Sequence, residues 1–147
     1  MNTVEPGRSS GMFVRRVEVP FNRAAIEAVQ VEVTTELNNR GYDEGAAFAV
    51  RLAIEEALVN GFRHGNAGDS AKTVQFECEI DENSIRIEIV DQGPGFNPGT
   101  IPDPTEEANL ETPSGRGIML MRAYMTEVEY VAPGNRVRMA YRRNAAG

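Results

Sequence analysis

Two seven-residue runs, VQFECEI (74–80) and SIRIEIV (84–90), alternate apolar with polar side chains, and only Asp81-Glu82-Asn83 separates them. Successive side chains of a strand point to opposite faces, so a period of two marks a strand with one face covered and one solvated. Val74, Phe76, Cys78 and Ile80 share a face of the first run, and Ile85, Ile87 and Ile89 share a face of the second. The short polar turn makes the pair an antiparallel hairpin. Its apolar face needs a second layer, and the rest of the chain must supply it.

Helical spacing supplies that layer. In FNRAAIEAVQVEVTTELNNRG, Ile26, Val29, Val33 and Leu37 fall on one stripe, and Gly41 is a stop signal. A second helix is expected from Asp43, as N-cap, to about His64, and a short third one from about Gly117 to Met125. MFVRRVEVP (12–20) reads as a strand ended by Pro20, and two closing strands are expected near 127–132 and 135–142, around the turn Pro133-Gly134-Asn135. Residues 97–114 carry four prolines and four acids with little periodicity, which predicts a long loop, a feature that is uncommon in compact domains and often functional. A chain of 147 residues fits one core rather than two. The fold class expected is therefore α+β: a two-layer α/β sandwich whose mixed, mostly antiparallel sheet is covered on one face by three helices. Residues 12–142 form the single domain, 1–11 a flexible arm and 143–147 a tail.

Several function classes are disfavoured. A formal net charge of −7 speaks against a nucleic-acid surface, which needs clustered Lys and Arg. No apolar run approaches the roughly 20 residues that span a bilayer, and MNTVEPGRSSG lacks the apolar core of a secretory signal, so a cytoplasmic location is expected. The lone cysteine, Cys78, fits a reducing compartment, and with one histidine a zinc site is not expected.

Three stretches then carry chemistry. In IEEALVNGFRHGN (54–66), Ala49, Leu52 and Ala53 of the same helix lie on one side at about 100° per residue, with Glu56 and Asn60 inside that stripe and Glu55 turned towards Arg51. In SIRIEIVDQGPGF (84–96), residue parity puts Asp91 on the inward face of the isoleucine strand, followed by Gly93 and Gly95, which permit positive φ and the close approach of a ligand. In PSGRGIMLM (113–121), Gly115 and Gly117 precede an apolar helix whose N-terminal N–H groups suit phosphate, and Arg116 adds a bidentate donor. Each has an ordinary explanation by itself: a satisfied buried network, a turn cap, a helix cap. Together they point to a nucleotide site that has no Walker lysine and no Rossmann fingerprint.

In this order, the three boxes resemble those of the GHKL (Bergerat-fold) ATPases, and within that superfamily the chain looks most like the anti-sigma-factor serine protein kinases. EEALVNGFRHGN stands as the N-box, DQGPGF as the first glycine box and GRGIMLMRAYMTEVEY as the second. The resemblance spans about residues 12–142. It implies that Asp91 accepts a hydrogen bond from the adenine amino group, with a water near Gly95, and that Gly93 and Gly95 make room for the base. It implies further that Asn60 holds Mg²⁺ and that Glu56 is the general base. Asn97–Ser114 would be the ATP lid, with Gly115, Arg116 and Gly117 holding phosphates. His64 is read as structural or as a group near the phosphates.

By the same resemblance, the partners are a sigma factor and a STAS-type antagonist whose serine is phosphorylated with ATP. The first helix and first strand are candidate surfaces for docking or for a homodimer. A competing reading is an ATP-binding module that sequesters a regulator without phosphotransfer, and a third is a detached histidine-kinase catalytic domain. Met119–Met121 are expected in the core, Cys78 as an inert hydrophobe, and Tyr124, Tyr130 and Tyr141 at the core's edge.

Overall fold

A computed structural model describes residues 11–93, 124–131 and 135–143. The expected N-terminal arm up to residue 10, the 97–114 loop, Gly95, Gly115–Gly117, nearly all of the third helix with Met119–Met121, the Pro133-Gly134 turn and the tail from 144 lie outside the described residues.

Strand β1 (Phe13–Val19) stops before Pro20, which has no N–H for a ladder. Asn22 then caps helix α1 (Arg23–Asn39), its side chain accepting from the Ala25 N–H at 2.7 Å. Ile26, Val29, Val33 and Leu37 are buried as their spacing predicts. The helix unwinds at Gly41, whose φ of 81° suits glycine, and the Tyr42 N–H closes the end by donating to the Leu37 carbonyl at 3.0 Å. Asp43 caps helix α2 (Glu44–Asn60), accepting from the Ala46 N–H at 2.8 Å.

The buried stripe of α2 comprises Ala46, Ala49, Val50, Ala53, Ile54, Ala57 and Leu58. Leu52, expected within the stripe, is only half-buried. Glu56 and Asn60 are also half-buried, so α2 keeps its polar pair at the margin of the apolar face. The α-helix ends at Asn60 rather than near His64, and Gly61–Gly65 continues it as a single π-helical turn.

Four further strands complete the sheet: β2 (Val74–Ile80), β3 (Ser84–Val90), β4 (Glu127–Val131) and β5 (Arg136–Arg142). The order is β1-β2-β3-β5-β4, and all four pairings are antiparallel. The predicted inward residues of β2 and β3 are all buried, pack with α1 and α2, and align Phe76 with Ile89 and Cys78 with Ile87. Burial pushes the Cys78 thiol up to about 12, as befits an inert hydrophobe. Tyr130 and Tyr141 pack at the core's edge, but Tyr124 does not: it is 47% exposed and meets Phe48 edge-on. The outer face of the sheet carries paired charges, among them Arg136 and Arg138 on Glu88 and Arg142 on Glu127. The layers are thus two, with helices on one side of an open sheet.

Candidate functional site

Helix α2 carries two adjacent carboxylates with opposite environments. Glu55 is gripped by Arg23 of α1 through bonds of 2.8 and 2.6 Å and accepts a third from Gln30 at 3.2 Å. The Arg23 guanidinium holds its carboxyl below the usual range despite partial burial. Glu56 has no ion-pair partner among the described residues, and burial, reinforced by the Glu55 charge, pushes its carboxyl up. Two neighbouring acids are thus driven apart by their environments, one ion-paired and lowered, the other without an ion-pair partner among the described residues and raised. One turn on, the Asn60 side-chain nitrogen is buried without a hydrogen-bond partner among the described residues. An unsatisfied buried amide costs about 1–3 kcal/mol, so its persistence calls for a reason.

The strand end meets this helix through glycines. Asp91 follows β3, and its N–H donates to the Asn135 carbonyl at 2.9 Å while the Asn135 amide donates back to the Asp91 carbonyl at 3.2 Å. Its half-buried carboxylate accepts from the Gly93 N–H at 2.7 Å and lies against Gly65. Burial raises the Asp91 carboxyl, and the Gly93 bond partly offsets this. A Cβ at Gly65 would overlap the carboxylate; one at Gly93 would overlap the Gly65 carbonyl; one at Gly61 would sit 3.6 Å from the Asp91 Cβ. Gly93 is expected to permit positive φ and the close approach of a ligand; on the first count, the described glycines with positive φ are Gly41 and Gly68. Its smallness is used instead to seat the strand exit on the π turn.

Asn66 does the fastening, and the sequence assigned it no role although it closes the N-box. Only 1% exposed, it donates to the Thr73 carbonyl at 3.1 Å and accepts from the Gln92 N–H at 2.7 Å. Gln92 in turn accepts from the Thr73 N–H at 2.8 Å. The signal was available: an asparagine just after a glycine-bounded turn is a residue that bonds backbone. Arg23 and Gln30 were also missed, because their partners lie 32 and 25 residues away. His64 is exposed on the π turn and takes no part in the core.

The structure thus brings Asp91 onto the turn that directly continues the helix bearing Glu56 and Asn60. Gly95, Gly115, Arg116 and Gly117 fall outside the described residues. No cluster of three or more His, Cys, Asp or Glu suited to a metal occurs among the described residues. Hard cations take oxygen ligands, so of the Asn60 amide only the side-chain oxygen, and not the unpartnered nitrogen, could serve one. A shallow groove between Glu77, Glu79, Arg86, Glu88, Glu129 and Arg138 lies across the sheet from these groups. No described helix is long and apolar enough to cross a membrane.

Comparison with known proteins agrees with this geometry. Residues 19–141 match the histidine kinase-like ATPase domain family. An anti-sigma F factor of Clostridium beijerinckii is 32% identical over 83 residues, covering 54% of this chain and 57% of that protein. One from Clostridium perfringens is 32% identical over 90 residues (59% and 64%), and one from Bacillus thuringiensis 30% over 86 residues (56% and 58%). The chain thus aligns with roughly three fifths of the length of these curated relatives.

Proposed function

Since this chain belongs to the histidine kinase-like ATPase domain family, we propose that it is an ATP-dependent serine protein kinase of the anti-sigma type. In this reading it binds a sigma factor and phosphorylates a serine on a STAS-type antagonist. The carrying observation is that, among the described residues, the half-buried Glu56 carboxylate has no ion-pair partner and the buried side-chain nitrogen of Asn60, one turn away, has no hydrogen-bond partner. The similarity to anti-sigma F factors supports the sigma-factor partner.

Asp91 recognises the base: its carboxylate, seated on Gly65, accepts from the adenine amino group. A bond to an ionised acceptor contributes about 1.5–3 kcal/mol, enough to favour adenine over a base lacking that donor. Asn60 would hold Mg²⁺ by its side-chain oxygen, and the ion, when bound, offsets the charge of the phosphates. Glu56 takes the proton from the substrate serine as the serine oxygen bonds to the γ-phosphorus. The bond from that phosphorus to the bridging oxygen breaks, and ADP departs. A carboxylate pushed up towards the working pH is the stronger base. Arg116 and Gly115–Gly117 are assigned to the phosphates, with Gly95 beside the base.

The test incubates the protein with γ-labelled ATP, Mg²⁺ and the STAS-type protein encoded nearest to it. Label is expected on serine, and Glu56→Gln should lower transfer about 100-fold or more while ATP still binds. ATP binding without transfer by the wild type would favour the sequestering module, which the relatives' names, speaking only of sigma-factor antagonism, also fit. Acid-labile label on a histidine of another chain would favour the histidine-kinase reading.

A further inference from the structure

The start of α1 and the residue before its cap touch α2 and the π turn at one place each, and the two contacts bracket the proposed reactive segment. Arg23 bonds Glu55, the residue before Glu56, through both terminal nitrogens. Phe21 stacks on Phe62, two residues past Asn60, with ring centroids 4.8 Å apart and planes 6° from parallel. Phe62 is wholly buried in the π turn, whereas Phe21 is 37% exposed and the Arg23 side chain 53% exposed. Further along α1, buried Gln30 donates to the Arg51 carbonyl at 3.1 Å and to Glu55.

Stability alone does not account for this arrangement. The two helices already share one apolar core, to which α1 gives Ile26, Val29, Val33 and Leu37 and α2 gives Val50, Ile54 and Leu58. An ion pair this exposed adds little to folding. What a planar, bidentate pair does supply is orientation. It fixes the azimuth of α2 at Glu55, and hence the direction in which Glu56, about 100° further round, must point. The Phe21 ring does the same for the π turn, a single turn closed by the Asn66 N–H on the Gly61 carbonyl at 2.8 Å, against which it packs through Phe62.

We propose that Arg23 and Phe21 are positioning residues that hold the Glu56–Asn60 segment in its productive orientation from outside the site. The inference rests on the kinase reading above, and it deepens it by naming the device that aims the base. It also makes the exposed start of α1 a place where a bound protein alters reactivity without touching the nucleotide.

The experiment compares wild type, Arg23→Met, Arg23→Lys and Phe21→Ala in single-turnover transfer from saturating Mg-ATP, alongside affinity for a fluorescent ATP analogue with and without Mg²⁺. Arg23→Met should cut the transfer rate about tenfold or more with metal-free affinity unchanged, since small misplacements of reacting groups cost rate rather than binding. Arg23→Lys should recover part of the rate, and Phe21→Ala should resemble Arg23→Met. Transfer in Arg23→Met within about twofold of wild type overturns the proposal. If the wild type transfers no phosphate, the kinase reading fails, and the Mg²⁺-dependent gain in ATP affinity becomes the readout. Arg23→Met should then lose most of that gain, because Asn60 is displaced, and an undiminished gain overturns the clamp.

Discussion

Gly65 shows how much rests on a missing Cβ. The Asp91 carboxylate occupies the space that any other side chain at position 65 would claim, and Gly93 is pressed against the Gly65 carbonyl. Gly65→Ala is therefore expected to push Asp91 off the π turn. Affinity for ATP should fall about tenfold or more, equivalent to about 1.4 kcal/mol, while GTP, which lacks the adenine amino group, binds no better. Isothermal titration of both nucleotides checks this, and unchanged ATP affinity would remove Asp91 from the base-reading role. The positions of Glu56, Asn60 and Asp91 were legible because each breaks a pattern, a polar group where periodicity calls for an apolar one. Asn66 breaks none. Its importance lies in two backbone partners, Thr73 and Gln92, that only the fold brings to it.

At the scale of elements, the α1–α2 pair predicts a pH signature. Glu55 is held below its ordinary carboxylate range by Arg23, so it binds fewer protons folded than unfolded over that interval. The stabilisation is present above the unfolded value of about 4.3 and is lost as pH falls through the lower folded value. Urea unfolding of wild type and Arg23→Met should differ by a constant amount at neutral pH, at most about 1 kcal/mol for a pair this exposed. That gap should close below about pH 4. A gap that persisted to pH 3 would mean that packing, not the ion pair, sets it. The helices and the β2–β3 hairpin could be read from periodicity because each buries one face, which writes itself into the chain as spacing. The π turn could not: an α-helical continuation through His64 has the same spacing, and the choice is made by Gly61 and Gly65 closing on Val74 and Asp91.

For the molecule as a whole, the two ends of the sheet do different work. Asp91 lies at one end of β3, and the turn after β2 lies at the other, about 26 Å away at 3.3 Å per residue. At that far end Arg143 donates to the carbonyls of Arg40, Gly41 and Glu82 at 3.1, 2.8 and 3.0 Å and lies over the Tyr42 ring. Beside it, the nearly buried Arg40 pairs with Glu36 at 2.6 Å and Glu82 at 2.9 Å. The end of β5 is thereby tied to the α1–α2 corner. Arg143→Ala should cost about 1–2 kcal/mol in thermal or urea unfolding while leaving ATP affinity at the other end unchanged. A fall in affinity matching the fall in stability would show that the two ends are not separable.

Periodicity, caps and breakers along the chain were enough to determine which segments become strands and helices, which face each one buries, and that a glutamate, an asparagine and an aspartate stand where oily side chains belong. These are local properties, since burying one face selects a spacing that neighbours along the chain can display. Tertiary structure alone decided that β5 slots between β3 and β4, that the helix slackens into a π turn under Asp91, and that Arg23 takes Glu55 rather than its neighbour Glu56. Such choices join residues far apart in the chain, where partners are set by the shape of the assembled layers and by which polar groups would otherwise be left unpaired, and no local pattern records either.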